Sequence, residues 1–190
     1  MSHPDNIKLE PMISAEDIVQ RVEAMVVEVC DGFKGDEIVV VALLKGSFMF
    51  VADLVRQFHS HEVSVIMDFM ATESYGSGTE SSGTVKLTRD ISTDVEGRKV
   101  LLVDDILDTG RTLDFARRHL MEKGAESVTT CAFLDKPDRR VVDFEADFIG
   151  FTIPDEFVVG YGLDYDSRYR ALPHISKVCL QTGESGASKI

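Results

Sequence analysis

Asp104, Asp105 and Asp108 crowd the stretch VLLVDDILDTGRTL at 100–113, and directly behind them come Thr109, Gly110, Arg111 and Thr112. The turn these residues make offers consecutive backbone N–H groups, two hydroxyls and a glycine that lets the main chain approach a ligand. It opens onto a helix, whose N-terminal dipole favours an anion, so a phosphate group is the ligand that suits it. Carboxylates beside such a cradle would repel the phosphate unless they hold something else, and hydroxyls or metal ions are the natural candidates. A solvated acidic turn is the plain alternative for an isolated D-D-x-x-D. The apolar run before it and the TGRT turn after it argue against that reading.

A second segment of similar design is Leu44-Lys45-Gly46-Ser47, where small residues and a lysine lie between an apolar run and a helical pattern. Alone it reads as an ordinary strand-to-helix turn with a surface lysine. Beside the Asp-rich turn it reads as a loop for a second polyanion.

The elements that must position these turns follow from hydrophobic spacing. Residues 100–103 are a continuous apolar run too short for a helix, as expected of a central parallel strand buried on both faces, and the carboxylates fall at its carboxyl end, where open α/β sheets bind ligands. Leu113, Ala116 and Leu120 recur at helical spacing, with Gly124 as the stop. Ser14 and Asp17 open a first helix with Ile18, Val22, Met25, Val26 and Val29 along one face. Further strands are predicted at 37–44, 63–69, 85–91, 99–103, 127–133 and 148–151, with a helix at 48–58. Residues 71–84 break into Gly, Ser and Thr without an apolar period and are expected to be a mobile loop. The alternation predicts an α/β domain with a mostly parallel sheet, one domain over 1–190, its core at about 37–155 and a small subdomain from about 1–36 and 156–182.

Composition narrows the function classes. The chain has 190 residues, 44% hydrophobic and 28% charged, which is globular, and a net charge of −13 that argues against a general nucleic-acid binder. Cys30, Cys131 and Cys179 fit neither a disulfide framework nor a zinc site, and a reducing cytoplasm suits them best. No membrane partner is expected, because no apolar run reaches the length of a span. Ser188-Lys189-Ile190 is read as an untethered tail rather than a peroxisomal address. His59 and His61 are read as a solvated turn, and Met49, Phe50, Met67 and Met70 as packing.

VDDILDTGRT resembles the phosphoribosyl-pyrophosphate (PRPP) signature of the type I phosphoribosyltransferases. Four further pieces, LLKGS at 43–47, ESYGSGT at 73–79, FLDKP at 133–137 and IPDEFVVGYGLDY at 153–165 with Arg170 beyond, are similar to the 6-oxopurine branch, the hypoxanthine (or hypoxanthine-guanine) phosphoribosyltransferases. The similarity covers about residues 39–180. It implies the type I phosphoribosyltransferase fold, with helices flanking the sheet and a small hood made from the chain termini. It also implies transfer of phosphoribose from PRPP to a purine base in the cytoplasm by a homodimer or homotetramer.

By this resemblance the PRPP 5′-phosphate belongs to Thr109, Gly110, Arg111 and Thr112, and the pyrophosphate to Lys45 and Gly46, through a loop that the family builds on a non-proline cis peptide, and to Arg170. Asp104 and Asp105 take the ribose 2′ and 3′ hydroxyls and assist a Mg²⁺ ion. The family more often has Glu-Asp there, and the shorter Asp104 leaves open whether its contact is direct or through water. Arg111 stands where the family often has lysine. Asp108 is placed at purine N7 as the proton-handling group, Phe157 against the face of the base, and the Val158 backbone at its edge. Asp164 falls beside the base at a second Mg²⁺, and Ser74 and Tyr75 on a closing loop. Lys136 can donate to a 6-oxo group and has no acceptor for 6-amino hydrogens, a physical reason to prefer hypoxanthine or guanine to adenine.

An alternative from another class is a regulator that kept the PRPP-binding fold to sense nucleotides; it would have no need of Asp108 and Lys136 together. A P-loop nucleotide binder is excluded, since residues 78–84 lack the lysine of G-x-x-x-x-G-K-[ST].

Overall fold

The structure is a computed structural model, which describes residues 7–74 and 85–180. The chain runs β1 (Ile7–Ile13), α1 (Ala15–Phe33), β2 (Glu37–Leu44), α2 (Phe48–Phe58), β3 (Ser64–Ser74), β4 (Val85–Arg89), β5 (Lys99–Leu107), α3 (Arg111–Glu122), β6 (Ser127–Asp135), β7 (Phe148–Thr152), β8 (Val158–Val159) and β9 (Ile175–Leu180). Six strands form one sheet in the order β4-β3-β2-β5-β6-β7. All its neighbours are parallel except β3 and β4.

The apolar runs are continuous because both faces of this sheet are covered. Ile38, Val40, Ala42, Leu101 and Val103 point into a core shared with α1 and α2, while Val39, Val41, Leu43, Val100 and Leu102 point into a second core closed by α3. The sequence period of two thus sorts neighbouring residues to opposite layers. Helix α1 begins as its capping pattern predicts: the Ser14 hydroxyl accepts from the Asp17 N–H at 3.0 Å, and Ile18, Val22, Met25, Val26 and Val29 are all buried. Past α3, Gly124 adopts φ +87°, where a residue with a side chain is strained, and the chain turns into β6.

Strand boundaries differ from the sequence reading wherever pairing continues beyond the apolar run. Strand β5 does not end at Val103: its pairing with β6 continues to Leu107, opposite Asp135, so Asp104 and Asp105 are strand residues. Likewise β6 and β7 each extend past their predicted ends. Strand β3 runs to Ser74 because β4 pairs with residues 71–74, which had been assigned to the loop. Strand β4 itself stops at Arg89 rather than at 91.

A second, three-stranded antiparallel sheet, β1-β9-β8, joins the two ends of the described chain, with Ile7 opposite Leu180. Its strands were not predicted. Strands β1 and β9 mix polar and apolar residues and lie at opposite ends of the chain, β1 carries Pro11, and β8 is only two residues long. Helix α1, between β1 and β2, packs beside α2 in a core that Ile13, Val158 and Ile175 of the small sheet also enter. No helix among the described residues is long and apolar enough to cross a membrane.

Candidate active site

Strands β2 and β5 are neighbours, so the turns after them open at the same edge of the sheet. They enclose a cleft of about 400 Å³ lined by Lys45, Gly46, Asp104, Asp105, Asp108, Thr109, Gly110, Arg111 and Thr112. The two anion cradles and all three carboxylates inferred from sequence therefore share one space. Thr72 and Val85, on the strands leading into and out of residues 75–84, border it as well. Tyr75 of the expected closing loop lies outside the described residues; Ser74 is the last residue of β3.

The turn before α3 leaves a helix end open. Gly110 is the N-cap of α3, at φ +84°, and no side chain caps the helix there. The first-turn N–H groups have no partner within the helix and stand at the cleft wall with Arg111 and Thr112. An anion is the group that this end of a dipole accepts.

The other cradle is tightly packed. The Leu44–Lys45 peptide bond is cis. A Cβ on Gly46 would run into the Asp105 carboxylate, and a Cβ on Gly162 would run into the Gly46 carbonyl. The loop is therefore held between β5 on one side and the turn after β8 on the other, and glycine is required at both contacts. Ser47, fully buried, donates its hydroxyl to the Leu43 carbonyl and ties the loop back to β2.

Burial pushes the Asp104 carboxyl well above its ordinary pKa, and the adjacent Asp105 charge adds to the effect. Burial raises Asp105 too, although hydrogen bonds and the Arg170 charge act in the opposite direction. Two carboxylates side by side, Asp104 buried and Asp105 half-buried, resist carrying two negative charges. Hydroxyl donors or a divalent cation would relieve them. Among the described residues no cluster of three or more His, Cys, Asp or Glu could form a complete metal cage. A pair of carboxylates fits Mg²⁺, which keeps waters and takes substrate phosphate oxygens as its remaining ligands.

Asp108 is half-exposed at the cleft and accepts from Arg139 Nε at 3.1 Å. Asp164, Arg170, Lys136, Phe157 and Val158 are not part of the cleft wall around these groups. Arg170 pairs with Asp164 at 2.7 Å and donates to the Gly162 carbonyl at 2.6 Å, so it braces the turn that rests on Gly46. Asp164 also accepts from the Ser167 N–H at 2.7 Å. Lys136 follows β6, is buried, and its N–H donates to the Leu107 carbonyl at 3.0 Å, next to Asp108. Phe157 is 53% exposed, with Tyr165 edge-on to its ring at 5.6 Å, whereas Val158 is buried. Phe157 is thus a surface residue rather than part of the core.

Sequence reasoning missed Arg139, Arg140 and Asp135. The signal available was a pair of arginines just beyond Lys136, and nothing local says that they reach back about thirty residues to the Asp-rich turn.

A family model for the phosphoribosyl transferase domain matches residues 12–166. The hypoxanthine-guanine phosphoribosyltransferase of Aquifex aeolicus (strain VF5) is 49% identical over 172 residues, 90% of this chain and 95% of that protein. The chain belongs to the hypoxanthine phosphoribosyltransferase family. Within that family it is also 47% identical, over 90% of its length, to the hypoxanthine phosphoribosyltransferase of Escherichia coli (strain K12), covering 96% of it. Among solved structures, a Bacillus anthracis hypoxanthine-guanine phosphoribosyltransferase with HEPES in its active site superposes with a TM-score of 0.85 at 44% identity, over 91% of this chain and 99% of that one. The mostly parallel sheet with flanking helices is the fold of these hypoxanthine phosphoribosyltransferases.

Proposed function

We propose that this protein salvages purines, transferring the 5-phosphoribosyl group of PRPP to N9 of hypoxanthine, and of guanine, to give IMP or GMP and pyrophosphate. The observation that carries the reading is one cleft in which two separate anion cradles flank a pair of adjacent carboxylates, Asp104 buried and Asp105 half-buried. PRPP has that form: a phosphate at one end, a pyrophosphate at the other and a diol between. The first-turn N–H groups of α3 hold the 5′-phosphate; Lys45 and the Gly46 backbone, with Arg170, hold the pyrophosphate.

Asp104 and Asp105 take the ribose hydroxyls and, with Asp164, are the residues that would hold Mg²⁺. Bound Mg²⁺ neutralises charge on the departing pyrophosphate. As the C1′–O bond breaks and N9 bonds to C1′, positive charge grows on the sugar, and the carboxylates facing it stabilise that charge. Asp108 handles the proton of the purine at N7. Lys136 donates to the 6-oxo group, Phe157 stacks on the ring and the Val158 backbone reads its edge. Asp108 and Lys136 together favour a transferase over a nucleotide-sensing regulator, which needs neither. We place the enzyme in the cytoplasm, consistent with its free cysteines, as a homodimer or homotetramer.

The test is to incubate the protein with PRPP, Mg²⁺ and each of hypoxanthine, guanine, xanthine and adenine, and to detect the monophosphate. Product from the 6-oxopurines is expected. Asp108→Asn keeps the shape and removes the charge, so turnover should fall by about 10²–10⁴-fold with PRPP affinity near that of the wild type. No product with any base refutes the transfer, and near-wild-type turnover in the variant removes Asp108 from proton transfer.

A further inference from the structure

The turn that presents Asp108 and the N–H groups assigned to the phosphate has backbone carbonyls of its own that need partners. Three consecutive ones are taken up by the segment after β6. Lys136 N–H donates to the Leu107 carbonyl at 3.0 Å, and Val141 N–H to the Thr109 carbonyl at 3.1 Å. Between them the Arg140 guanidinium donates through Nη1 to the Leu107 carbonyl at 2.9 Å and to the Asp108 carbonyl, and through Nη2 to the Asp135 carboxylate. The side chains of Arg140 and Asp135 are 17% and 9% exposed. Behind the turn, a Cβ on Gly110 would meet Val142 Cγ2 at 2.8 Å and Arg140 Cδ at 3.1 Å, so the arginine stem fills the space that a side chain at the N-cap would need.

We propose that Arg140, oriented by Asp135, is a positioning residue for the transfer reaction: it fixes the Asp108 backbone and the start of the phosphate cradle without touching substrate. Three features support this. The fork is planar and rigid, so one side chain sets the relative position of two successive carbonyls and the end of β6. The pair is shielded from water, where charge-assisted hydrogen bonds are strongest. It also ties the strand end that leads into Lys136 to the strand end that leads into Asp108, the two groups assigned to the base. Its neighbour Arg139 differs in kind: it is half-exposed and lies against the Asp108 side chain itself.

This inference rests on the phosphoribosyl-transfer reading, and the experiment separates the two. Wild type, Arg140→Lys and Arg140→Met are assayed with hypoxanthine, PRPP and Mg²⁺, varying PRPP, with thermal unfolding of each variant. Failure of the wild type to form IMP refutes the parent reading. Given wild-type activity, Arg140→Met should lower kcat/KM for PRPP by about 100-fold, the scale of an ångström of misplacement at a reacting group. The KM for PRPP should rise, because the cradle begins at Thr109, next to the freed carbonyl. Arg140→Lys keeps the charge but cannot span both carbonyls and Asp135 in one plane, so its KM should lie between the two. A role confined to stability would reduce the amount of folded enzyme and leave the KM for PRPP unchanged. An unchanged KM in Arg140→Lys overturns the proposal, and that variant decides if Arg140→Met does not fold.

Discussion

Asp68 offers the sharpest quantitative test of the scaffold, because its carboxylate is nearly saturated with donors. Buried in β3, it accepts from the Phe69, Ser92 and Thr93 N–H groups at 2.7 Å each and from the Ser92 hydroxyl at 3.2 Å, which pins the segment after β4 to the sheet. Burial alone would raise its pKa, but the hydrogen bonds outweigh burial and bring it from 3.8 down to about 2. A carboxyl whose folded-state value lies below its unfolded one stabilises the fold above the unfolded value, and the contribution is lost as pH falls toward the folded value. The gap corresponds to about 2 kcal/mol at pH 7, of which about half remains at pH 3. Asp68→Asn removes the charge and turns an amide toward N–H donors. It should therefore cost about 2 kcal/mol at neutral pH, a fall of about 4–8 °C in Tm for a chain of this size. Urea unfolding of both proteins between pH 7 and pH 3 measures the difference, which should shrink by about 1 kcal/mol over that range. A difference that stays constant with pH refutes the reasoning.

Other residues give equally direct tests. Gly46→Ala places a methyl group where the Asp105 carboxylate lies, so either the pyrophosphate loop or the carboxylate must move; PRPP affinity should drop by about tenfold or more, measured by calorimetry with Mg²⁺, and an unchanged affinity would show that the loop yields freely. Lys136→Ala removes the donor assigned to the 6-oxo group and should narrow the preference for hypoxanthine over adenine by about 10²-fold or more; unchanged selectivity in competition assays would place the base elsewhere.

What was legible in the sequence was whatever depends on neighbours in the chain. The bounds of β2 and α2, the Ser14 cap of α1 and the Gly124 stop follow from local spacing and backbone preference, and the structure has them where expected. The two phosphate turns were readable because each is a contiguous string. The extension of β5 through the carboxylates was hidden, since only its pairing with β6 makes polar residues strand. Strands β1 and β9 were hidden for the same reason: each is half-polar and acquires its conformation from a partner at the opposite end of the chain. Gly46 against Asp105, Gly162 against Gly46 and Arg140 against the Asp108 carbonyl are contacts between distant segments, for which a single chain carries no local mark.

The way the two sheets draw on the chain sets an order of assembly. Every strand of the larger sheet comes from one uninterrupted stretch, Glu37 to Thr152, whereas β1, made first, gains its partner β9 last. A chain emerging from the ribosome has therefore released every strand of the larger sheet while β1 still lacks its partner.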